Sequence, residues 1–189
     1  WESDVARFGI DIWMTTTAIT QGFRICQANL GVKIHDAKDP GRQLGPMFRQ
    51  VVYVLFSLME RFENSWKAVK GSEPVETFGR TNALEPEPVA VDIEGLIDKF
   101  RTGYQQFSSL WKEIFSPAVF EDVRRAAELG VRDFFLPTES WVRLLYELAA
   151  TFHAWSHNRF KVIELVTPLY YARVASFVRE SCSNRVFPR

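Results

Sequence analysis

Hydrophobic and polar positions recur along this chain with two periods, and each period predicts a different element. Over residues 4–21, Val5, Phe8, Ile12, Met14 and Ile19 supply a helical apolar face, interrupted at Gly9 and ended by Gly22. Phe23 to Leu30 then alternates apolar with polar, which predicts a strand; the run from Gly31 to His35 continues it with room for a bulge. Asp36-Ala37-Lys38-Asp39-Pro40-Gly41 carries turn chemistry and predicts a loop.

From Leu44 the period becomes helical and stays so. Met47, Val51, Val52, Leu55, Phe56, Leu58, Met59 and Phe62 make the broad apolar face of a buried helix. Gly71, Pro74, Gly79, Pro86 and Pro88 break the pattern, so residues 70–91 are expected to be an extended connection with little structure of their own. Ile93, Leu96, Ile97, Phe100, Tyr104, Phe107, Leu110, Trp111 and Ile114 follow the i, i+3, i+4, i+7 register of the next helix. Ser116-Pro117 caps a shorter helix through Leu129 and Gly130, and Pro137 to Ser140 starts another ending near Trp155. A last helix covers Phe160 to about Ser181, and Pro168 inside it predicts a kink or a split near Val166–Leu169. The fold class is therefore mainly α, with a short α/β piece at the N-terminus (residues 1–42) and a helical region after it (43–189).

Composition narrows the function classes. Equal numbers of acidic and basic residues, 23 of each, argue against nucleic acid or an acidic membrane as the main partner, because both select for basic excess. No apolar run approaches the ~20 residues that span a bilayer. Cys26 and Cys182 lie far apart with no CxxC or Cys/His cluster, which reads as two unpaired thiols in a reducing, cytoplasmic setting without structural zinc. The chain opens at Trp1 without methionine and closes on Arg189 just after a helical pattern, so both ends are expected to be cut from a longer polypeptide.

Few residues carry a chemical signal. His35 leaves the strand pattern at a loop and is followed by Asp36 and Asp39; imidazole in oxygen-rich company suits magnesium or manganese, although a lone histidine also serves as a plain surface residue. Asp11 sits among Ile10, Ile12 and Trp13, where a buried carboxylate is costly unless compensated, or else merely favours the helix dipole. Thr15, Thr16 and Thr17 offer hydroxyls to a sugar or simply cap and pack. Lys33 adds a second positive contact if it faces His35, and is otherwise a solvated strand lysine. His153 and His157 fall at i, i+4 without the glutamate of an HExxH motif or a third ligand, and read as an aromatic-rich helix end. Trp66, Trp111, Trp141 and Trp155 are core residues by spacing, or anchors of a subunit contact.

Gly9-Ile10-Asp11-Ile12 with the small-residue helix behind it, then Leu30-Gly31-Val32-Lys33-Ile34-His35, resembles the second half of the catalytic domain of GT-A-fold retaining glycosyltransferases. The nearest likeness is to mannosylglycerate synthase and the glucosylglycerate or glucosyl-3-phosphoglycerate synthases. Residues 43–62, with Met47-Phe48-Arg49-Gln50-Val51-Val52, are similar to the helix that follows the metal histidine in those enzymes; the likeness is good over residues 8–62 and loose beyond. It implies His35 as a metal ligand, Asp11 as the acid facing acceptor and sugar, and Thr15 and Lys33 as substrate contacts. It also implies a divalent cation (Mg2+ or Mn2+), a nucleotide-sugar donor, a small hydroxy acid such as glycerate as acceptor, and a homo-oligomer built on the helical region. The Asp-x-Asp motif and nucleotide-binding βαβ start of that family do not occur in these residues, so the chain alone is expected to be inactive and to hold metal weakly. Asp36-Ala37-Lys38 also differs from the Arg-Asn that follows the histidine in some of these synthases. The alternative expectation is a non-catalytic helical oligomerisation or interaction domain.

Overall fold

The computed structural model describes residues 8–31, 44–80 and 90–184. Helix occupies about 70% of these against two strands of two residues each, so the fold is mainly α with a small strand element. The elements run α1 (Ile10–Thr20), β1 (Gln27–Ala28), α2 (Leu44–Arg61), α3 (Glu63–Lys67), β2 (Thr77–Phe78), α4 (Ile93–Ile114), α5 (Pro117–Glu128), α6 (Thr138–Ala154) and α7 (Phe160–Asn184). Contacts divide the chain into two compact units, residues 1–38 with 50–90 and residues 39–49 with 91–189.

In the first unit, α1 starts directly after Gly9 and stops in a Schellman motif. Phe23 N–H donates to Ala18 O and Gly22 N–H to Ile19 O, both at 3.0 Å, with Gly22 at φ 73°. Only two residues of the alternating stretch 23–30 form strand, because a strand extends only as far as its partner. That partner, β2, lies in the connection expected to have little structure of its own. The pairing is parallel, Gln27 opposite Thr77 and Ala28 opposite Phe78, with Gln27 N–H on Glu76 O at 2.9 Å and Asn29 N–H on Phe78 O at 2.8 Å. Gly79 ends β2 at φ 83°, where a Cβ would lie 2.6 Å from Asn29 O, so only glycine lets the two backbones part here. Val52, Val54, Phe56 and Leu58 of α2 are buried, and the Trp66 indole N–H donates to Met59 O at 2.7 Å, fixing α3 against the end of α2.

The second unit is a four-helix packing of α4 to α7 in which α4 and α7 form the largest contact. Leu96, Ile97 and Phe100 of α4 and Ile163, Val166 and Leu169 of α7 are all at most 1% exposed. The two helices meet at Gly103, where a Cβ would come within 2.3 Å of the Pro168 ring. α7 runs as one helix through Pro168, so of the kink or split expected from the sequence the split does not occur. Two observations account for this. The ring fills the gap left by Gly103, and the Thr167 hydroxyl donates to Ile163 O at 3.1 Å within the same turn.

The α5–α6 connection, residues 129–137, is held by side chains from two helices. Arg101 donates to Leu129 O at 2.6 Å, Arg179 to Val131 O and Arg132 O, and Arg173 to Leu136 O at 2.9 Å while forking onto the Glu180 carboxylate. Ser176, fully buried, accepts from Leu136 N–H at 2.8 Å and donates to Ala172 O at 2.9 Å. Ser116 precedes α5 but does not cap it; its N–H and hydroxyl both donate to Glu147 of α6, at 2.9 and 2.7 Å.

Candidate functional site

The site expected around the N-terminal helix rests on α1, whose eleven residues carry a single charge, Asp11. Ile10, Ile12, Trp13, Met14, Ala18 and Ile19 are spread around the whole circumference rather than along one stripe, and no residue of the helix is buried. A helix that is apolar all round belongs in an interior. Here Phe8, Met14, Ile19 and Phe23 remain between 47% and 67% exposed.

Asp11 occupies the first turn, where its charge opposes the helix dipole favourably by about 0.3–1 kcal/mol. The carboxylate is exposed, so the burial that would have made it costly does not arise within these residues. Thr15 is exposed as well and lies one turn on at i+4, so the helix brings the Asp11 carboxylate and the Thr15 hydroxyl to one face. Their neighbours behave differently. The Thr20 hydroxyl is spent on Thr16 O and Thr17 O at 2.9 and 3.1 Å, while the Thr17 hydroxyl is buried and finds no partner among the described residues. Lys33 and His35 lie outside the described residues, so the pairing of His35 with Asp11 has no geometry here. Among the described residues no three His, Cys, Asp or Glu side chains gather as a cation site.

Beside α1 the first unit holds an apolar groove of about 470 Å³, lined by Thr16, Ile19 and Thr20 and by Leu58, Phe62 and Trp66. Sequence reasoning placed these aromatic and aliphatic residues in a core. Their helical spacing gives no hint that a gap remains between them. In the second unit His157 lies after α6, with its Nδ1 2.8 Å from the Ser156 hydroxyl on an exposed turn, an arrangement local to adjacent residues. Trp111 is fully buried among Tyr104, Phe107 and Phe115, as its spacing predicts for a core residue, and Trp155 stays 37% exposed. Among the described residues no helix is long and apolar enough to cross a membrane. In comparison with known proteins, no family model matches the chain and no curated protein matches it.

Proposed function

We propose that these residues are the C-terminal part of a metal-dependent retaining glycosyltransferase, moving a hexose from a nucleotide-diphosphate sugar to a small hydroxy acid such as glycerate in the cytoplasm. The observation that carries the reading is α1: one carboxylate on an otherwise uncharged helix with apolar residues on all sides and none fully buried, in the same unit as a parallel strand pair of two residues. Parallel pairs of this length are unstable alone and occur in sheets covered on both faces. Such a helix and strand edge are expected where a larger α/β layer completes the domain, and the resemblance of residues 8–35 supplies the kind of domain.

In this reading Asp11 orients the acceptor or stabilises positive charge developing at the sugar carbon, as carboxylates do in glycoside hydrolysis. Thr15, on the same face, offers its hydroxyl to the sugar. His35 is one ligand of a divalent cation whose other ligands come from outside these residues, and Lys33 faces the same phosphate charge. The cation, when bound, neutralises charge on the departing diphosphate.

The test uses the whole polypeptide containing this chain, with manganese and a panel of nucleotide sugars, glycerate being the acceptor. Turnover is expected, and His35→Ala and Asp11→Asn each reduce it by at least about a hundredfold, as loss of a charge-stabilising group does. Wild-type turnover by His35→Ala overturns the assignment. A second reading, a non-catalytic helical oligomerisation module, draws on the exposed Val142, Tyr146 and Phe177 of the second unit. It predicts self-association that manganese and nucleotide sugar leave unchanged, measured by sedimentation velocity.

A further inference from the structure

The second unit carries a trough in which α1 and the residues proposed for transfer chemistry, Asp11 and Thr15, take no part. It has a volume of about 610 Å³, within the range of small-molecule sites, and runs between one face of α4 and one face of α7. Arg49 of α2 lines it, with Asp98, Lys99, Thr102 and Gln106 of α4 and Glu164, Pro168 and Tyr171 of α7. Its floor is the close contact of Gly103 with Pro168, which needs a residue without a side chain on one helix.

We propose that this trough binds a small hydroxylated anion, a hydroxy acid or a sugar phosphate, with Arg49 as its anion anchor. Arg49 is half-buried and makes no hydrogen bond or ion pair among the described residues, although a guanidinium carries five N–H donors. Its planar fork matches a carboxylate or phosphate with two parallel hydrogen bonds. Lys99 lines the same trough, its ammonium 5.4 Å from the centre of the Tyr171 ring, and adds a second positive charge. Two acids line it too. They are Asp98, whose carboxylate lies 3.9 Å from Arg101, and Glu164.

The remaining wall is largely apolar but carries a few acceptors, and these select hydroxyls on the ligand. The Thr102 hydroxyl donates its proton to Asp98 O at 2.9 Å, leaving lone pairs to accept. Pro168 has no N–H for the Glu164 carbonyl four residues back, so that oxygen lacks its helical donor. Gln106 offers both a donor and an acceptor. A cationic end and a side carrying acceptors together describe a ligand with a charged head and neighbouring hydroxyl groups. The inference does not rest on the transferase reading, since it uses neither Asp11 nor His35 and is tested by binding rather than turnover.

The experiment is calorimetric titration of the chain with four probes: D-glycerate, glycerol 3-phosphate, glycerol and inorganic phosphate. Saturable binding of either hydroxylated anion supports the proposal, and which one binds separates a carboxylate from a phosphate head. Glycerol is expected not to bind, and inorganic phosphate to bind at least about tenfold more weakly than the better anion. Arg49→Met is expected to weaken that anion by at least about tenfold and Arg49→Lys by less, because a point charge replaces a fork. Amide chemical shifts of the wild-type chain, read during the same titration, are expected to move in residues 95–107 and 164–171, a readout independent of how any variant folds. No binding of either hydroxylated anion, phosphate binding as tightly as both, or shifts confined to other residues overturns the proposal.

Discussion

The contact between Gly103 and Pro168 can be tested by adding one methyl group. Gly103→Ala gains helix propensity, about 0.8–1.0 kcal/mol in a helix interior. Against this, the new Cβ falls 2.3 Å from both Cβ and Cγ of Pro168, where carbon atoms in contact stand about 3.5–4.0 Å apart. Neither neighbour yields easily, since Pro168 is a closed ring in a buried stretch of α7 and Gly103 itself is buried. The helices must therefore part by more than about 1 Å, and the side chains that suffer are Leu96, Ile97 and Phe100, each at most 1% exposed. Overpacking of this kind costs about 1–3 kcal/mol. Its upper half less the propensity gain leaves a net loss of about 1–2 kcal/mol. For a chain of this length that is a fall in Tm of about 2–8 °C, read by thermal denaturation followed at a helical circular dichroism band. Gly130→Ala is the control: nothing stands within 4 Å of the added Cβ, so Tm is expected to hold or rise slightly. A Gly103→Ala protein as stable as wild type would mean that the two helices do not approach this closely, and the floor of the trough would go with the contact.

Two further outcomes follow from groups whose surroundings are equally specific. Ser176→Ala removes the acceptor for Leu136 N–H in a fully buried setting, and is expected to cost about 1–3 kcal/mol, seen as a lower urea midpoint with unchanged slope. Tyr170 stacks on Phe48 with ring centres 3.9 Å apart, and burial, followed by the charge of Tyr171, pushes its phenol above the ordinary value of 10.0. The fold thus favours the neutral phenol, so Tyr170's contribution is fully present below the unfolded value and is lost as pH rises through the folded one. Tyr170→Phe is expected to remove one late phenolate step in an alkaline absorbance titration and to flatten the alkaline loss of stability.

The helices could be read from the sequence because each one buries a stripe, and a stripe of period 3.6 leaves its own signature. Ile93 to Ile114 is the clearest instance: Leu96, Ile97, Phe100 and Trp111 are all buried where the register puts them. Leu110, in the same register, is 44% exposed, because periodicity assigns a face but not whether a neighbour reaches it. That α7 does not split at Pro168 was hidden for a related reason. Its lost hydrogen bond is written in the sequence, but the compensating glycine sits 65 positions earlier, on a helix that the sequence does not mark as its neighbour. The strand pair was hidden likewise, since β2 is two residues long amid glycine and proline and alternation needs more positions than that to show.

The candidate sites differ in the same way. Asp11 could be found because its charge conflicts with the apolar residues around it, a conflict visible within one helical turn. Arg49, Lys99, Glu164 and Tyr171 conflict with nothing locally, and each in isolation is an ordinary residue of a solvated helix face. Only the packing of α4 against α7, with α2 beside them, makes a ligand-sized space out of them. A site assembled from three helices has no spacing to read, so its signal must come from charge left uncompensated once the helices are packed. The half-buried Arg49 without a partner among the described residues is that signal.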